Sequence, residues 1–265
     1  MHEAADIDPF TAAATLEWLV EMGCDEAIAE HPLNRYALPD RMPAAAKPAR
    51  ATAHPDAAPT LTTVQGDPVD EAERAAAAAQ TLEDLRTALD AYPHCDIRLG
   101  ARTLVFADGN PKARVMIIGE APGREEDRAG KPFVGQAGQL LDRMLAAIGL
   151  ARDAPDPSRA VYITNVLPWR PPSNRDPEPA EVAMMLPFLR RHVELADPDL
   201  LVLMGNQACN AVLGKRGITR LRGQWTTGLD RPVLPMLHPA YLLRQSAAKR
   251  HAWADLLDLA ARLDG

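Results

Sequence analysis

The chain has 265 residues, a formal net charge of −7, and is 47% hydrophobic, 25% charged and only 5% aromatic. That is enough apolar material for one large domain or two small ones, and it excludes wholesale disorder. Three widely separated cysteines (Cys24, Cys95 and Cys209) with no C-x-x-C pair exclude a disulfide scaffold and a zinc knuckle or ribbon. No apolar run reaches the roughly 18 residues that a spanning helix needs. The N-terminus is acidic and lacks the basic and apolar regions of a signal peptide, so the expected setting is a reducing cytoplasm. In chain order, residues 9–30 read as an amphipathic helix and residues 39–69 as a Pro/Ala/Thr-rich linker. Helical patterning resumes over 70–91, where the alanine run has little to bury and is expected on a surface. The expected domains are an N-terminal helical segment (1–38), a linker (39–69) and a folded domain (70–265).

From residue 114 the rhythm changes. Short continuous apolar runs at 115–118, 161–167, 200–204 and 233–237 alternate with helical patterns at 137–149, 179–195, 206–213 and 246–263. Continuous runs indicate strands buried on both faces. The βαβα order predicts an α/β fold: a three-layer α/β/α sandwich around a four-stranded parallel sheet, with an N-terminal helical extension. In such sheets ligands bind beyond the carboxyl ends of the strands. Here those ends are GEAPG (119–123), the Thr164-Asn165 segment leading to Arg170, Gly205-Asn206, and the HPAYLLR loop (238–244). Four polar or Gly/Pro-rich loops would converge on one edge.

Each candidate has a plain structural reading beside the chemical one. Glu120 is a carboxylate in a tight turn, or an ordinary surface acid. The turn lacks the Gly-Lys-Ser/Thr ending of a phosphate-binding loop. Phe133, between Pro and Gly, stacks on a base or tucks under the next helix. Asn165 reads a base edge or caps a turn. His238 precedes a proline, which restricts its backbone, and it either donates to a developing anion or is structural. Charge is also uneven: residues 1–70 carry −8, whereas 215–250 carry +7. That stretch is a local basic footprint for phosphate or a solvated surface.

GEAPGREEDRAGKPFVGQAGQLLDRML, YITNVLPWRPPSNRDPEPAEV, LRGQW and HPAYLLR, in that order, resemble the family 4 uracil-DNA glycosylases over about residues 92–258. The resemblance implies a parallel sheet between helices and a monofunctional hydrolase that flips uracil out of DNA and cleaves its N-glycosidic bond. Glu120 would position or activate the water, with Asp127 a second candidate carboxylate. Gly119, Ala121, Phe133 and Asn165 would hold uracil, Phe133 by stacking and Asn165 by rejecting cytosine. His238 would donate to uracil O2. Leu242 would wedge into the gap left by the flipped base, Tyr241 would contact DNA, and Arg170, Arg222 and Arg244 would hold phosphates. The implied partner is uracil-containing DNA, single- or double-stranded. The acidic N-terminal segment is expected to contact a repair or replication protein rather than DNA, with the chain acting as a monomer and no membrane involved.

Three departures from the pattern matter. Family 4 enzymes usually hold a four-iron four-sulfur cluster on four cysteines, and the matching positions here are Tyr92, Cys95, Trp169 and Met185. One thiolate cannot hold a cubane, so no iron–sulfur cluster and no other cofactor is expected. Better-known uracil glycosylases carry an Asp where this chain has Ala121, which leaves open a slow-turnover protein that binds uracil or abasic DNA. A glycosylase of broader deaminated-base range is a further reading. A related branch traps the sugar through a His after the second strand; residues 166–191 contain none, so no such adduct is expected.

Overall fold

The computed structural model describes residues 67–264. The expected helix over 9–30 and most of the expected linker lie outside them. α1 (Pro68–Ala78) starts inside the stretch read as the linker's end, with Pro68 at its first position and Asp67 capping it. The pattern over 70–91 is two helices rather than one. Thr81 accepts from Asp84 N–H while the Asp84 carboxylate accepts from Thr81 N–H, so a capping box opens α2 (Leu82–Ala91). The alanine run is not a surface feature on its inner side. Ala72, Ala76 and Ala79 are buried, because small side chains let α1 lie close against a neighbouring helix.

After α3 (Ile97–Gly100) come β1 (Asp108–Gly109), β2 (Val115–Gly119), α4 (Arg124–Ala129), α5 (Gln136–Ala146) and β3 (Val161–Asn165). They are followed by α6 (Pro179–Ala196), β4 (Leu200–Met204), α7 (Gly205–Leu213), α8 (Ile218–Leu221), β5 (Thr226–Gly228), β6 (Arg231–Met236), α9 (Pro239–Arg244) and α10 (Lys249–Asp264). The sheet order is β1-β3-β2-β4-β6-β5. The four expected strands form its parallel centre, and the short β1 and β5 add antiparallel edges that make it a mixed six-stranded sheet. Two- and three-residue edges carry too little pattern to be read from sequence.

Side-chain alternation splits each central strand between two cores. Met116, Ile118, Tyr162, Leu201 and Leu203 join residues of α1, α2, α6 and α7. Val115, Ile117, Val161, Ile163 and Val202 join Leu141 and Leu145 of α5 and Leu256 and Leu259 of α10. Both faces are therefore covered, which is the three-layer sandwich. One further difference bears on function. The HPAYLLR segment is a helix, not a loop: His238 caps it and Pro239 takes its first position. Among the described residues no helix is long and apolar enough to cross a membrane.

Candidate active site

The ends of all four parallel strands open into one cleft of about 750 Å³. Glu120, Ala121, Phe133, Asn165, His238, Tyr241 and Arg244 line it, as do Gly205 and Asn206. Gly119 and Asn165 are register partners at the tips of β2 and β3. A Cβ on Gly119 would lie 2.3 Å from Asn165 Oδ1 and 2.5 Å from the Phe133 ring, so only glycine lets these side chains close over the strand end. Asn165 and Phe133 are both buried. The Phe133 ring stacks on His238, with centroids 5.4 Å apart and planes 29° from parallel.

His238 Nδ1 accepts the Ala240 N–H at 3.1 Å. The proton of the neutral ring therefore sits on Nε2, which makes that atom a donor. Burial pushes the imidazole down to about 4, helped by Arg244 and opposed by Glu126. Glu120 moves the other way. Burial raises its carboxyl to about 7, with the charge of Asp176 adding to the effect. One cleft thus holds a neutral donor and a carboxyl poised near neutrality.

Glu126, which the sequence reading passed over, braces the cleft. Its carboxylate accepts from Gly123 N–H at 3.1 Å and from Val134 and Gly135 N–H at 2.9 Å each, tying the 119–123 turn to the Phe133 loop. The glutamate three residues after Gly123 at a helix start was the available signal. Arg175, Asp176, Gln207 and Arg216 also line the cleft without having been singled out. Gln207 donates to Asp176 at 2.7 Å, and Arg175 is held by Glu181 at 2.9 Å.

Several expected site residues lie elsewhere. Asp127 is buried, but its carboxylate accepts from Arg102 N–H at 2.8 Å and Thr103 N–H at 3.2 Å, so it anchors a backbone turn and does not line the cleft. Arg170 also falls outside the lining and donates to Asn174 at 2.7 Å. Arg222 makes a two-pronged pair with Asp255 and also donates to the His251 carbonyl. Asp255 is 1% exposed, so this arginine neutralises a buried carboxylate rather than meeting phosphate. Arg222→Ala is expected to cost about 3–5 kcal/mol of stability by leaving that charge unpaired, which urea melts will measure. Leu242 is 1% exposed among Leu140, Leu237 and Ala252, so it is core rather than a wedge. Its neighbour Leu243 is 43% exposed.

The four positions that matched cluster cysteines lie in the core that the sheet shares with α1, α2, α6 and α7. Tyr92, Cys95, Trp169 and Met185 are each no more than 2% exposed and belong to one apolar cluster. The Tyr92 hydroxyl donates to the Pro68 carbonyl at 2.6 Å, and burial pushes the Cys95 thiol up to about 11. A single neutral thiol among packed rings and a thioether does not fit an iron–sulfur cluster. Purified protein is expected to carry no stoichiometric iron and no absorbance near about 400 nm that reduction removes. His192, just past the stretch that lacks histidine, is stacked on Phe106 and bonded to Tyr162 in the interior, outside the cleft lining.

The family model of the uracil DNA glycosylase superfamily matches residues 106–257. The chain belongs to that superfamily. A type-4 uracil-DNA glycosylase of Thermotoga maritima is 41% identical over 155 residues, 57% of this chain and 77% of that protein. One from Archaeoglobus fulgidus is 39% identical over 175 residues, 62% of this chain and 84% of that protein. A DNA polymerase of Bacillus phage SP01 is 33% identical over 157 residues, 59% of this chain but 16% of that polymerase. In this uracil DNA glycosylase superfamily member the matched stretch runs from Phe106 to Leu257, so it contains every cleft-lining residue named above.

Proposed function

We propose that this chain is a monofunctional uracil-DNA glycosylase that starts base excision repair. The observation that carries the reading is the single cleft in which Asn165, Phe133, a neutral His238 and Glu120 meet at the strand ends. A flipped uracil would stack on Phe133, its polar edge read by Asn165. Cytosine's exocyclic amine would meet a donor where uracil offers an acceptor, leaving buried groups unpaired. As the bond between the sugar C1′ and the base nitrogen breaks, its electron pair leaves on the uracil ring. His238 Nε2–H would donate to O2, where that charge accumulates. Glu120, in its ionised form, would orient the water and take its proton as the oxygen bonds to C1′. Arg244, exposed at the cleft mouth, would hold a flanking phosphate.

The wedge role passes from Leu242 to Leu243 on exposure. Leu243→Ala is expected to leave the melting temperature unchanged and to slow excision from duplex more than from single strands. Leu242→Ala, by contrast, is expected to cost about 2–5 kcal/mol of stability. Equal kinetic effects on both substrates would remove Leu243 from that role. The reading also includes action as a cytoplasmic monomer, with the N-terminal segment contacting a repair or replication protein.

Alkali-sensitive abasic sites in a uracil oligonucleotide, absent from the matching cytosine oligonucleotide, test the reading. A shifted complex with no abasic site would instead favour the slow-turnover binder suggested by Ala121. Equal excision of other deaminated bases would favour a broader glycosylase.

A further inference from the structure

Phe133 has a left-handed backbone, with φ at 53°. A bulky side chain in that region is strained and persists only where its surroundings fix it. The restraint comes from a residue outside the cleft lining. Arg152 Nη1 donates to the Pro132 carbonyl at 2.9 Å, and its Nη2 donates to the Phe133 carbonyl at 2.8 Å. The same guanidinium is held from behind: Nη1 meets Asp108 at 3.0 Å and Nε meets Asp142 at 2.9 Å. Lys131 also pairs with Asp108, at 3.2 Å. Arg152 is only 14% exposed, and its bonds to Asp108 and the two carbonyls are partly shielded from water.

The loop is gripped from its other side as well. Glu126 accepts the next two N–H groups, those of Val134 and Gly135. The Phe133 carbonyl also lies close against α5, where a Cβ on Gly138 would come within 1.8 Å of it. The peptides on both sides of Phe133 are thereby fixed, and with them the ring's path over Gly119 and against His238.

We propose that Arg152 is a positioning residue for the base-stacking ring. Its planar fork holds the two carbonyls that set the Phe133 backbone, and Asp108 on β1 braces that fork. The inference rests on the uracil-excision reading for its kinetic consequence, but the loop geometry is measurable without any activity. Lysine cannot reproduce the fork, because an ammonium lacks the fixed planar spacing of two donors.

The test uses the full chain with Arg152→Met, Arg152→Lys, Phe133→Ala and the Arg152→Met/Phe133→Ala double variant. Amide hydrogen exchange at Val134 and Gly135 is expected to speed up at least about 10-fold in Arg152→Met, with core-strand amides unchanged. Single-turnover uracil excision should fall about 10-fold or more in both Arg152 variants, as misplacement of a substrate-holding group does. In the Phe133→Ala background, Arg152→Met should add less than about 2-fold. Fully multiplicative losses, rescue by lysine, or unchanged exchange at Val134 and Gly135 would each overturn the proposal. Should Arg152→Met fail to fold, Asp108→Asn provides the same test, with a smaller loss that must again vanish without Phe133. An inactive wild type would refute the uracil-excision reading alone, since the exchange result stands apart from it.

Discussion

Replacing His238 by alanine is expected to lower single-turnover uracil excision by roughly 10²–10³-fold, beside a stability loss of only about 0.5–2 kcal/mol from the missing cap on α9. The size follows from the geometry. The ring is stacked on Phe133 and is held neutral by burial, with its Nδ1 engaged by the Ala240 N–H. What remains is one preorganised donor, placed where the leaving base would gather charge. A donor that need not reorganise is worth far more in a shielded site than in water. Because the imidazole is pushed down to about 4, it stays neutral through the working range and puts no inflection into the rate near neutrality. Retention of most of the rate in His238→Ala would remove it from the chemistry. His238→Gln, which keeps a donor, should recover part of the loss.

The second large effect concerns Glu120. Its carboxyl is raised to about 7, so the ionised fraction, and with it water activation, should rise as pH passes upward through that value. Glu120→Gln should lose roughly 10²–10⁴-fold and flatten the acid limb of the profile. Stability moves in the opposite sense. The folded protein favours the protonated carboxyl, so its contribution is fully present below the ordinary value of 4.5 and is lost as pH rises through about 7. Glutamine carries no such penalty. Glu120→Gln should therefore melt above the wild type around pH 8 and alongside it near pH 4.5. A variant that loses activity but gains alkaline stability would mark a group kept for function at the expense of the fold. No stability gain at high pH would contradict its burial as an ionised group.

The four central strands were legible because residues buried on both faces leave continuous apolar runs, and the cleft followed from where those runs end. Neighbouring positions on short helices were not legible. Glu126 and Asp127 sit one residue, hence about 100°, apart on α4, and only one faces the cleft. Leu242 and Leu243 divide between core and surface in the same way on α9, a helix of six residues that the sequence presents as a loop. Arg222 counted toward a basic stretch, yet its partner, Asp255, lies 33 residues away on α10. A charge pattern along the chain does not register pairs made across the fold. The left-handed Phe133, and the arginine that holds it, have no local signature at all.

The central claim is that the cleft at the strand ends hydrolyses the bond between uracil and deoxyribose. Its most direct measurement is free uracil released in a single turnover from a uracil-containing oligonucleotide, by the wild type and by the Glu120→Gln/His238→Ala double variant. The account predicts stoichiometric uracil and a matching abasic strand from the wild type, and almost none from the double variant, whose native fold is verified by a cooperative melt. Binding of the oligonucleotide without released uracil, or equal release by both proteins, would contradict it.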